Sequence, residues 1–321
     1  MNISNIIIVL GEPQSVFVEI LFKYFKSKNF NQNKKKITLI GSKDILYYQM
    51  NKLNYNVKLN IINEINLAKT KLINIIDVPY IKKFKFNNIS STSNNYINNC
   101  FSIAFDILKK NKKVGLFNGP ISKKHFLKKK YLGVTEYIAK KFNINDQVML
   151  IYNNKISVSP VTTHLSIRDV PRNINKKKII NNILKINKFY KYNFNRIPTI
   201  AVLGLNPHCE SIHSYSEEKK HIIPAINYLN KKKLKIYGPF SADTFFLNKN
   251  IKFYDVVIGM YHDQVLAPLK TLYNFDAVNM TIGLPFVRVS PDHGPNTNMI
   301  GKNISDPSSI FCAMNLFNKI K

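Results

Sequence analysis

One short stretch constrains the fold of this 321-residue chain more than any other. Residues 254–259, with the sequence YDVVIG, are mostly apolar and β-branched, which is typical of a short buried strand. The strand pattern ends just before His262 and Asp263. Ligands of open α/β sheets bind beyond the carboxyl ends of the strands, so these two polar residues mark a place where chemistry is expected.

Strand and helix patterns alternate from the first residues onward. Ile6 to Leu10 form an apolar strand pattern that runs into Gly11, and a helical pattern follows. Between Thr92 and Lys109, apolar residues recur at helical spacing and predict a helix with one buried stripe. This alternation predicts an α/β fold. Further apolar strands are predicted at residues 148–152, 156–161, 199–203 and 284–289.

Length and composition predict two lobes. A chain of 321 residues, 45% of them apolar, can bury a large core. The pattern changes near Gly133, so we expect a first α/β lobe from residues 1–130 with about 300–321, and a second from residues 131–299. In the second lobe a long helix is predicted at 174–190 with Asn173 as its cap, and Ser305 is expected to cap a closing helix.

The formal net charge of +30 is compatible with nucleic-acid binding, because basic proteins release counterions from phosphate backbones. The lysines, however, lie in short runs along the whole chain and are not interleaved with aromatic residues that would stack on bases. The same segments are rich in Asn and Ile, which is typical of drift toward A/T-rich codons. We therefore favour a lysine-rich surface that attracts anionic substrates, with nucleic-acid binding as the alternative from another class.

The sequence predicts a cytoplasmic protein that does not enter a membrane. No stretch approaches the roughly 20 apolar residues of a membrane span, and the apolar run at residues 6–10 is too short for a signal peptide. The three cysteines, Cys100, Cys209 and Cys312, have no paired spacing. This argues against a disulfide framework and fits a reducing compartment.

Three histidines follow closely on the carboxyl ends of predicted strands. They are His164, His208 and His262. Imidazoles that converge from neighbouring strands would bind a divalent metal and leave positions open for substrate. The alternative is that each histidine is an ordinary loop residue, but three of the seven histidines in the same place favour the metal.

Some of the cations indicate anion recognition. Arg288 is one of only four arginines and is flanked by apolar residues, which suggests a need for fork geometry toward a carboxylate or phosphate. The alternative is a structural ion pair. Lys123, at the start of a predicted helix, is a candidate nucleotide contact, with a solvated lysine as the alternative, and the segment with Asp292 and His293 is a further candidate.

Eight segments together resemble the 4-hydroxythreonine-4-phosphate dehydrogenase family of vitamin B6 biosynthesis. The match is collinear from about residue 6 to the end of the chain. The segments are GEP at 11, NGPISK at 118, GVTEY at 133, TTHLSIRDVP at 162, GLNPH at 204, GPFSADT at 238, YDVVIGMYHDQ at 254 and NMTIGLPFVRVSPDHG at 279.

The resemblance implies a two-lobed fold like isocitrate and isopropylmalate dehydrogenases, with a cleft between the lobes. It also implies a homodimer whose active site lies at the subunit interface, NAD as cofactor, and one divalent cation (Zn, Mg or Co) shared between subunits. The second lobe would then contain the metal and substrate residues and the dimer contacts. By this resemblance the metal ligands are His164, His208 and His262, and the substrate contacts are Thr135, Lys270, Asn279 and Arg288.

The implied reaction is NAD-dependent oxidation of 4-phosphooxy-L-threonine, followed by loss of carbon dioxide. NAD rests on the resemblance, because the chain has no G-x-G-x-x-G fingerprint. Asp263 is the candidate general base, with a water relay as the alternative.

The chain departs from the family pattern at several positions. Val134 replaces the usual His before the Thr of GVTEY, and the glycines usual after Pro13 and soon after His208 are absent. A dehydrogenase of a four-carbon phosphorylated sugar acid, such as phosphoerythronate or phosphothreonate, is therefore a second enzyme hypothesis.

Overall fold

The structure is a computed structural model of the whole chain. The residues that it describes are 3–81, 83–127, 130–210, 215–247, 251–274, 276–291 and 293–320.

Within the described residues the chain forms twelve strands, most of them short and rich in β-branched residues, as buried parallel strands usually are. In chain order they are β1 (Asn5–Val9), β2 (Lys36–Gly41), β3 (Leu59–Ile61), β4 (Ile73–Asp77), β5 (Val114–Asn118), β6 (Val148–Tyr152), β7 (Ser157–Thr162), β8 (Ile200–Leu203), β9 (Ile236–Phe240), β10 (Val256–Tyr261), β11 (Val278–Ile282) and β12 (Arg288–Pro291).

The α-helices of the described residues alternate with these strands. They are α1 (Phe17–Phe25), α2 (Lys28–Gln32), α3 (Lys43–Leu53), α4 (Asn94–Lys110), α5 (Val134–Lys141), α6 (Val170–Asn173), α7 (Lys176–Phe194), α8 (Ile223–Lys231), α9 (Ala242–Phe245), α10 (His262–Tyr273) and α11 (Ser308–Lys319).

Contacts divide the chain into two compact units, of which the first comprises residues 1–145 and 284–321. Its strands lie in the order β3-β4-β2-β1-β5-β12, and every pairing is parallel. The apolar stripe predicted for the helix at 92–109 is buried in the core of this unit. The stripe consists of Tyr96, Ile97, Cys100, Phe101, Ala104, Phe105 and Leu108.

The second unit comprises residues 146–283. Its strands lie in the order β11-β6-β7-β10-β8-β9, with antiparallel pairing of β11 to β6 and of β6 to β7 and parallel pairing in the rest. Because β7, β10 and β8 are parallel neighbours, their carboxyl ends lie at one edge of the sheet. This edge positions the loops of the three predicted metal ligands.

The boundaries of the two units differ from the division expected at residues 130/131 and near 300. They place α5 and β12, which contain Thr135 and Arg288, in the first unit. The contact that brings β12 into the first unit is long-range, because β12 pairs with β5. A sequence pattern indicates where a strand lies but not which strand it pairs with.

Several local predictions need correction. The helix expected at 174–190 is α7, which begins at Lys176 and ends at Phe194. Its cap is Asn175 and not Asn173, because the Asn175 side chain accepts a hydrogen bond from Lys178 N. The strand expected at 284–289 is β12, which begins only at Arg288. Ser305 does not cap the closing helix, because its backbone N–H donates to the carboxylate of Glu19 and the helix begins at Ser308.

Two helices end in asparagine rather than glycine. Asn54 follows α3 with φ 55°, and Asn195 follows α7 with φ 54°, both in the left-handed conformation. Asparagine tolerates this conformation better than other residues with a β-carbon. None of the helices that the structure describes is both long and apolar enough to cross a bilayer.

Candidate active site

The three predicted metal ligands follow the adjacent strands β7, β8 and β10 of the second unit. His164 comes two residues after the end of β7, His262 begins α10 directly after β10, and His208 lies in a short turn after β8. His164 and His208 have left-handed backbones, with φ of 53° and 55°. For residues other than glycine this conformation is uncommon, although histidine adopts it more often than most, and functional sites are among the places where it occurs.

His164 and His262 are close neighbours. Their ring centroids are 6.0 Å apart, with 33° between the ring planes. Imidazole is a preferred ligand of zinc and similar cations, and metal–nitrogen bonds are about 2.0–2.1 Å long. The donor chemistry and the separation of this pair therefore fit a divalent cation. The other ring nitrogen of His262, Nδ1, is 2.7 Å from Asp263 Oδ1, an arrangement that orients metal-binding histidines.

His208 does not complete this pair into a recognisable metal centre. Among the residues that the structure describes, no group of three or more His, Cys, Asp or Glu side chains has the arrangement needed to hold a metal ion. The structure thus brings two of the three predicted ligands together within one chain. The three-histidine metal site remains a prediction.

The loop that leads to His208 is held by Glu218. Its Oε1 accepts hydrogen bonds from Leu205 N at 2.7 Å and Asn206 N at 2.9 Å, and its Oε2 accepts from Asn206 Nδ2 at 2.8 Å. Burial alone would raise the pKa of Glu218, but the hydrogen bonds from Asn206 and Leu205 outweigh it and lower the pKa below its ordinary value. The sequence analysis did not identify Glu218 as a site residue.

Arg288 lies in a buried hydrogen-bonded cluster of the first unit. Its side chain is fully buried, with Nε donating to Asn118 Oδ1 at 2.8 Å and Nη1 donating to Thr135 Oγ1 at 3.1 Å. Burial lowers the pKa of Arg288 to about 9, while the charge of Glu136 raises it, so the guanidinium remains charged at neutral pH. A fixed, buried guanidinium is suited to recognise a carboxylate or phosphate.

Asn118 is a residue of this cluster that the sequence analysis did not single out. It is the last residue of β5 and is fully buried. Its position directly after a predicted strand, at the start of the NGPISK segment, was the signal that could have identified it.

The other two predicted substrate contacts belong to the second unit. Lys270 is partly buried in the last turn of α10. Asn279 lies in β11, and its Oδ1 is buried and has no hydrogen-bond partner among the described parts of the chain. Buried acceptors nearly always have a donor, so this oxygen is a place where a bound ligand could donate.

A cavity of about 700 Å³ lies beside Lys123 in the first unit. Its lining includes Lys123 and the segment from Gly294 to Met299. The adjacent His293 contacts Ser309 Oγ through Nε2 at 3.3 Å. Two of the three predicted nucleotide contacts therefore lie at or next to one cavity, whereas Asp292 lies outside the described residues.

The class of the fold is that of isocitrate dehydrogenase. The isocitrate dehydrogenase from Methylococcus capsulatus superimposes with a TM-score of 0.51 at 9% identity, covering 98% of this chain and 85% of that one. At this identity the likeness concerns the fold alone. It confirms the predicted fold class.

The particular family follows from closer similarities. The profile of the family described as "Pyridoxal phosphate biosynthetic protein PdxA" matches residues 33–317, and the chain belongs to this family. A 4-hydroxythreonine-4-phosphate dehydrogenase from Sulfurihydrogenibium sp. (strain YO3AOP1) is 35% identical over 96% of each chain. The crystal structure of 4-hydroxythreonine-4-phosphate dehydrogenase from Klebsiella pneumoniae is similar with a TM-score of 0.84 at 26% identity, covering 98% of both chains. The resemblance predicted from the sequence motifs is confirmed.

Proposed function

We propose that this protein is an NAD-dependent 4-hydroxythreonine-4-phosphate dehydrogenase of vitamin B6 biosynthesis. It oxidises 4-phosphooxy-L-threonine to 2-amino-3-oxo-4-phosphooxybutanoate, which loses carbon dioxide to give 3-amino-2-oxopropyl phosphate. The observation that supports this most strongly is the 35% identity to a 4-hydroxythreonine-4-phosphate dehydrogenase across 96% of both chains.

The proposed substrate contacts are chemically matched to a phosphorylated amino acid. Arg288 and Lys270 supply positive charge for its anionic groups, and Thr135 supplies a hydroxyl already fixed by Arg288 Nη1. The buried Oδ1 of Asn279 would accept a hydrogen bond from a hydroxyl or ammonium group of the substrate. Fixing several groups of the substrate at once orients C3 for oxidation.

We propose that His164, His208 and His262 hold one divalent cation (Zn, Mg or Co). The close approach of the His164 and His262 rings supports two of these ligands. The chemistry that a bound cation supplies is polarisation of the C3 hydroxyl, which lowers the pKa of that hydroxyl and eases loss of its proton. The His262–Asp263 contact supports an orienting role for Asp263. Asp263 also remains the candidate general base.

The cofactor proposed for this reaction is NAD, which would supply the hydride acceptor when bound. The cavity of about 700 Å³ beside Lys123 is the proposed location of part of the cofactor, with Lys123 contacting a phosphate. The chain's own residues there provide an ammonium group and the hydroxyls of Ser122 and Thr297. His293 and Asp292 stay candidates for further contacts.

We further propose a cytoplasmic homodimer whose active site lies at the subunit interface. The dimer rests on the family resemblance, and light scattering coupled to gel filtration would measure it. All three cysteines are free thiols, which supports a reducing compartment. No nucleic acid is expected to be a partner.

NADH formation by metal-reconstituted protein tests the proposed activity. Two substrates are compared, 4-phosphooxy-L-threonine and 4-phosphoerythronate, with His208→Ala as the metal-site variant. Turnover of the amino acid that is lost in His208→Ala supports both the reaction and the metal ligand. Turnover of the sugar acid alone would mean that Val134 marks a changed substrate. If neither compound is oxidised and the protein binds duplex nucleic acid in a salt-dependent manner, the proposed function is wrong.

A further inference from the structure

The side chain of Gln264 connects two of the strands that precede the histidines. Its Nε2 donates to Gly204 O at 2.7 Å, directly after the end of β8, and its Oε1 accepts from Met260 N at 2.6 Å in β10. Gln264 is buried, with 8% of its surface exposed. One amide therefore joins the start of the His208 loop to the strand end that precedes His262.

A second hydrogen bond extends this connection to the third strand. Thr162, the last residue of β7, donates from Oγ1 to Met260 O at 2.6 Å. Met260 thus uses its N–H toward Gln264 and its carbonyl toward Thr162. Thr162 and Met260 are 2% and 0% exposed, so water does not compete for these bonds.

Two glycines leave room around these hydrogen bonds. A β-carbon at Gly259 would lie 2.5 Å from Val265 Cγ1 and 3.0 Å from Gln264 Oε1, so a side chain there would displace the start of α10 and the Gln264 amide. A β-carbon at Gly204 would lie 2.6 Å from Cys209 Sγ and would disturb the His208 loop itself.

We propose that Gln264 is a positioning residue that fixes the His208 and His262 segments relative to one another, while Thr162 connects the His164 segment to them through Met260. Gln264 acts through the backbone behind the histidines and does not itself touch the substrate. The importance of the histidines rests on the proposed function, whereas the positioning itself does not.

A simpler role for Gln264 would be that of a helix cap. It is the third residue of α10, and the bond from Met260 N to its side chain resembles a capping box. A cap, however, needs only this bond. The second bond goes to Gly204, which lies 60 residues away in sequence and directly follows a different strand. This bond therefore distinguishes a positioning role from a helix cap.

Hydrogen–deuterium exchange of the full-length protein tests the proposal. Gln264→Met keeps the length of the side chain and removes both hydrogen bonds. We expect amides in peptides covering residues 203–210 and 258–264 to exchange roughly fivefold faster or more than in the wild type. Gln49→Met is the matched control, because Gln49 is also buried (1% exposed) but lies in the first unit and donates to Pro13 O.

The outcomes separate the two roles. If Gln264→Met accelerates exchange only at residues 258–273, Gln264 is a helix cap and the proposal is overturned. The proposal is also overturned if Gln49→Met accelerates exchange at residues 203–210 as strongly as Gln264→Met does. Thr162→Val provides a milder second variant, in case Gln264→Met does not fold, and should accelerate exchange at residues 160–166 and 258–264; unchanged exchange there would also overturn the connection.

Binding of Co²⁺, followed by its visible absorption spectrum, adds a readout linked to the histidines. Gln264→Met should weaken Co²⁺ binding by about tenfold or more, as is typical for residues that orient metal ligands. Unweakened binding with an unchanged spectrum would overturn the positioning of the ligands. If the wild type itself does not bind Co²⁺, the proposed metal site fails, and hydrogen exchange alone decides the role of Gln264.

Discussion

The Arg288 cluster and the histidine segments are positioned in opposite ways. Arg288 is fully buried and its guanidinium is fixed directly, by the side chains of Asn118 and Thr135. The side chain of His262 is 36% exposed, and that of its partner Asp263 is 79% exposed. Behind the histidines, the backbone is fixed instead, by Gln264 and Glu218.

The difference follows from the cost of burying charge. A buried guanidinium is stable only where hydrogen-bond partners surround it, so its geometry has to be complete within the folded chain. Imidazoles at the edge of a sheet are partly solvated and need no such partners. Their positions can therefore be set by the loops that present them.

Replacement of Arg288 should produce the largest effect. Arg288→Met removes the charge and leaves Asn118 Oδ1 and Thr135 Oγ1 without their donor. Truncating one partner of a buried, hydrogen-bonded charge pair costs about 2–5 kcal/mol of binding free energy, so kcat/KM for 4-phosphooxy-L-threonine should fall about 10²- to 10³-fold. Steady-state NADH formation measures this. Arg196→Met is the control, because Arg196 is 53% exposed and pairs at the surface with Asp255; an equal loss there would contradict the assignment.

Removal of the Glu218 charge should destabilise the second unit, where Glu218 holds the loop that leads to His208. Glu218→Gln turns an acceptor of three N–H bonds into an amide that satisfies them poorly, at a cost of about 1–3 kcal/mol at neutral pH. Since the folded-state pKa of Glu218 is lowered, its contribution is present above the unfolded pKa of about 4.3 and is lost as the pH falls through the folded pKa. Urea unfolding across this pH range should show the two proteins converging on acidification. A constant difference would contradict the electrostatic explanation.

A smaller effect is expected from Thr135→Val, which removes one acceptor from Arg288 Nη1. The loss of one such bond costs about 1 kcal/mol, and KM for the phosphorylated substrate should rise about fivefold. Kinetic titration of the substrate measures this change. Thr271→Val, on the exposed face of α10, is the matched control; Thr271 donates only to the carbonyl of Ala267. Equal KM values for the two variants would show that Thr135 does not help to fix Arg288.

The smallest effect on stability is expected at Asp263, the most exposed residue compared here. Asp263→Asn should change the melting temperature by less than about 2 °C, because surface ion pairs contribute little. If Asp263 only orients His262, turnover should fall about 10- to 100-fold and recover as the metal concentration is raised, whereas loss of a general base lowers it about 10²- to 10⁴-fold even at saturating metal. The kcat of the variant at saturating metal therefore decides between the two roles.

The sequence predicted strands close to β7, β8 and β10 and the residues that follow them, because buried strands and polar loop residues leave local patterns. His164, His208 and His262 were identified in this way. The partners of Gln264 and Glu218 were not predicted, since they lie 60 and 12 to 13 residues away and depend on strand pairing. The helix cap at Asn175 was misplaced by two residues, because neighbouring asparagines at 173 and 175 give the same local signal.

The left-handed asparagines show how the fold tolerates an unusual composition. The chain has only 11 glycines in 321 residues. Among the residues that the structure describes, six of those with positive φ other than glycine are asparagines: Asn54, Asn143, Asn195, Asn274, Asn296 and Asn303. Glycine codons are rich in guanine, whereas asparagine codons are rich in adenine. A genome that drifts toward A and T can thus lose glycines at helix ends and still form the same turns. At these positions asparagine thus provides the turns for which glycine is the usual residue.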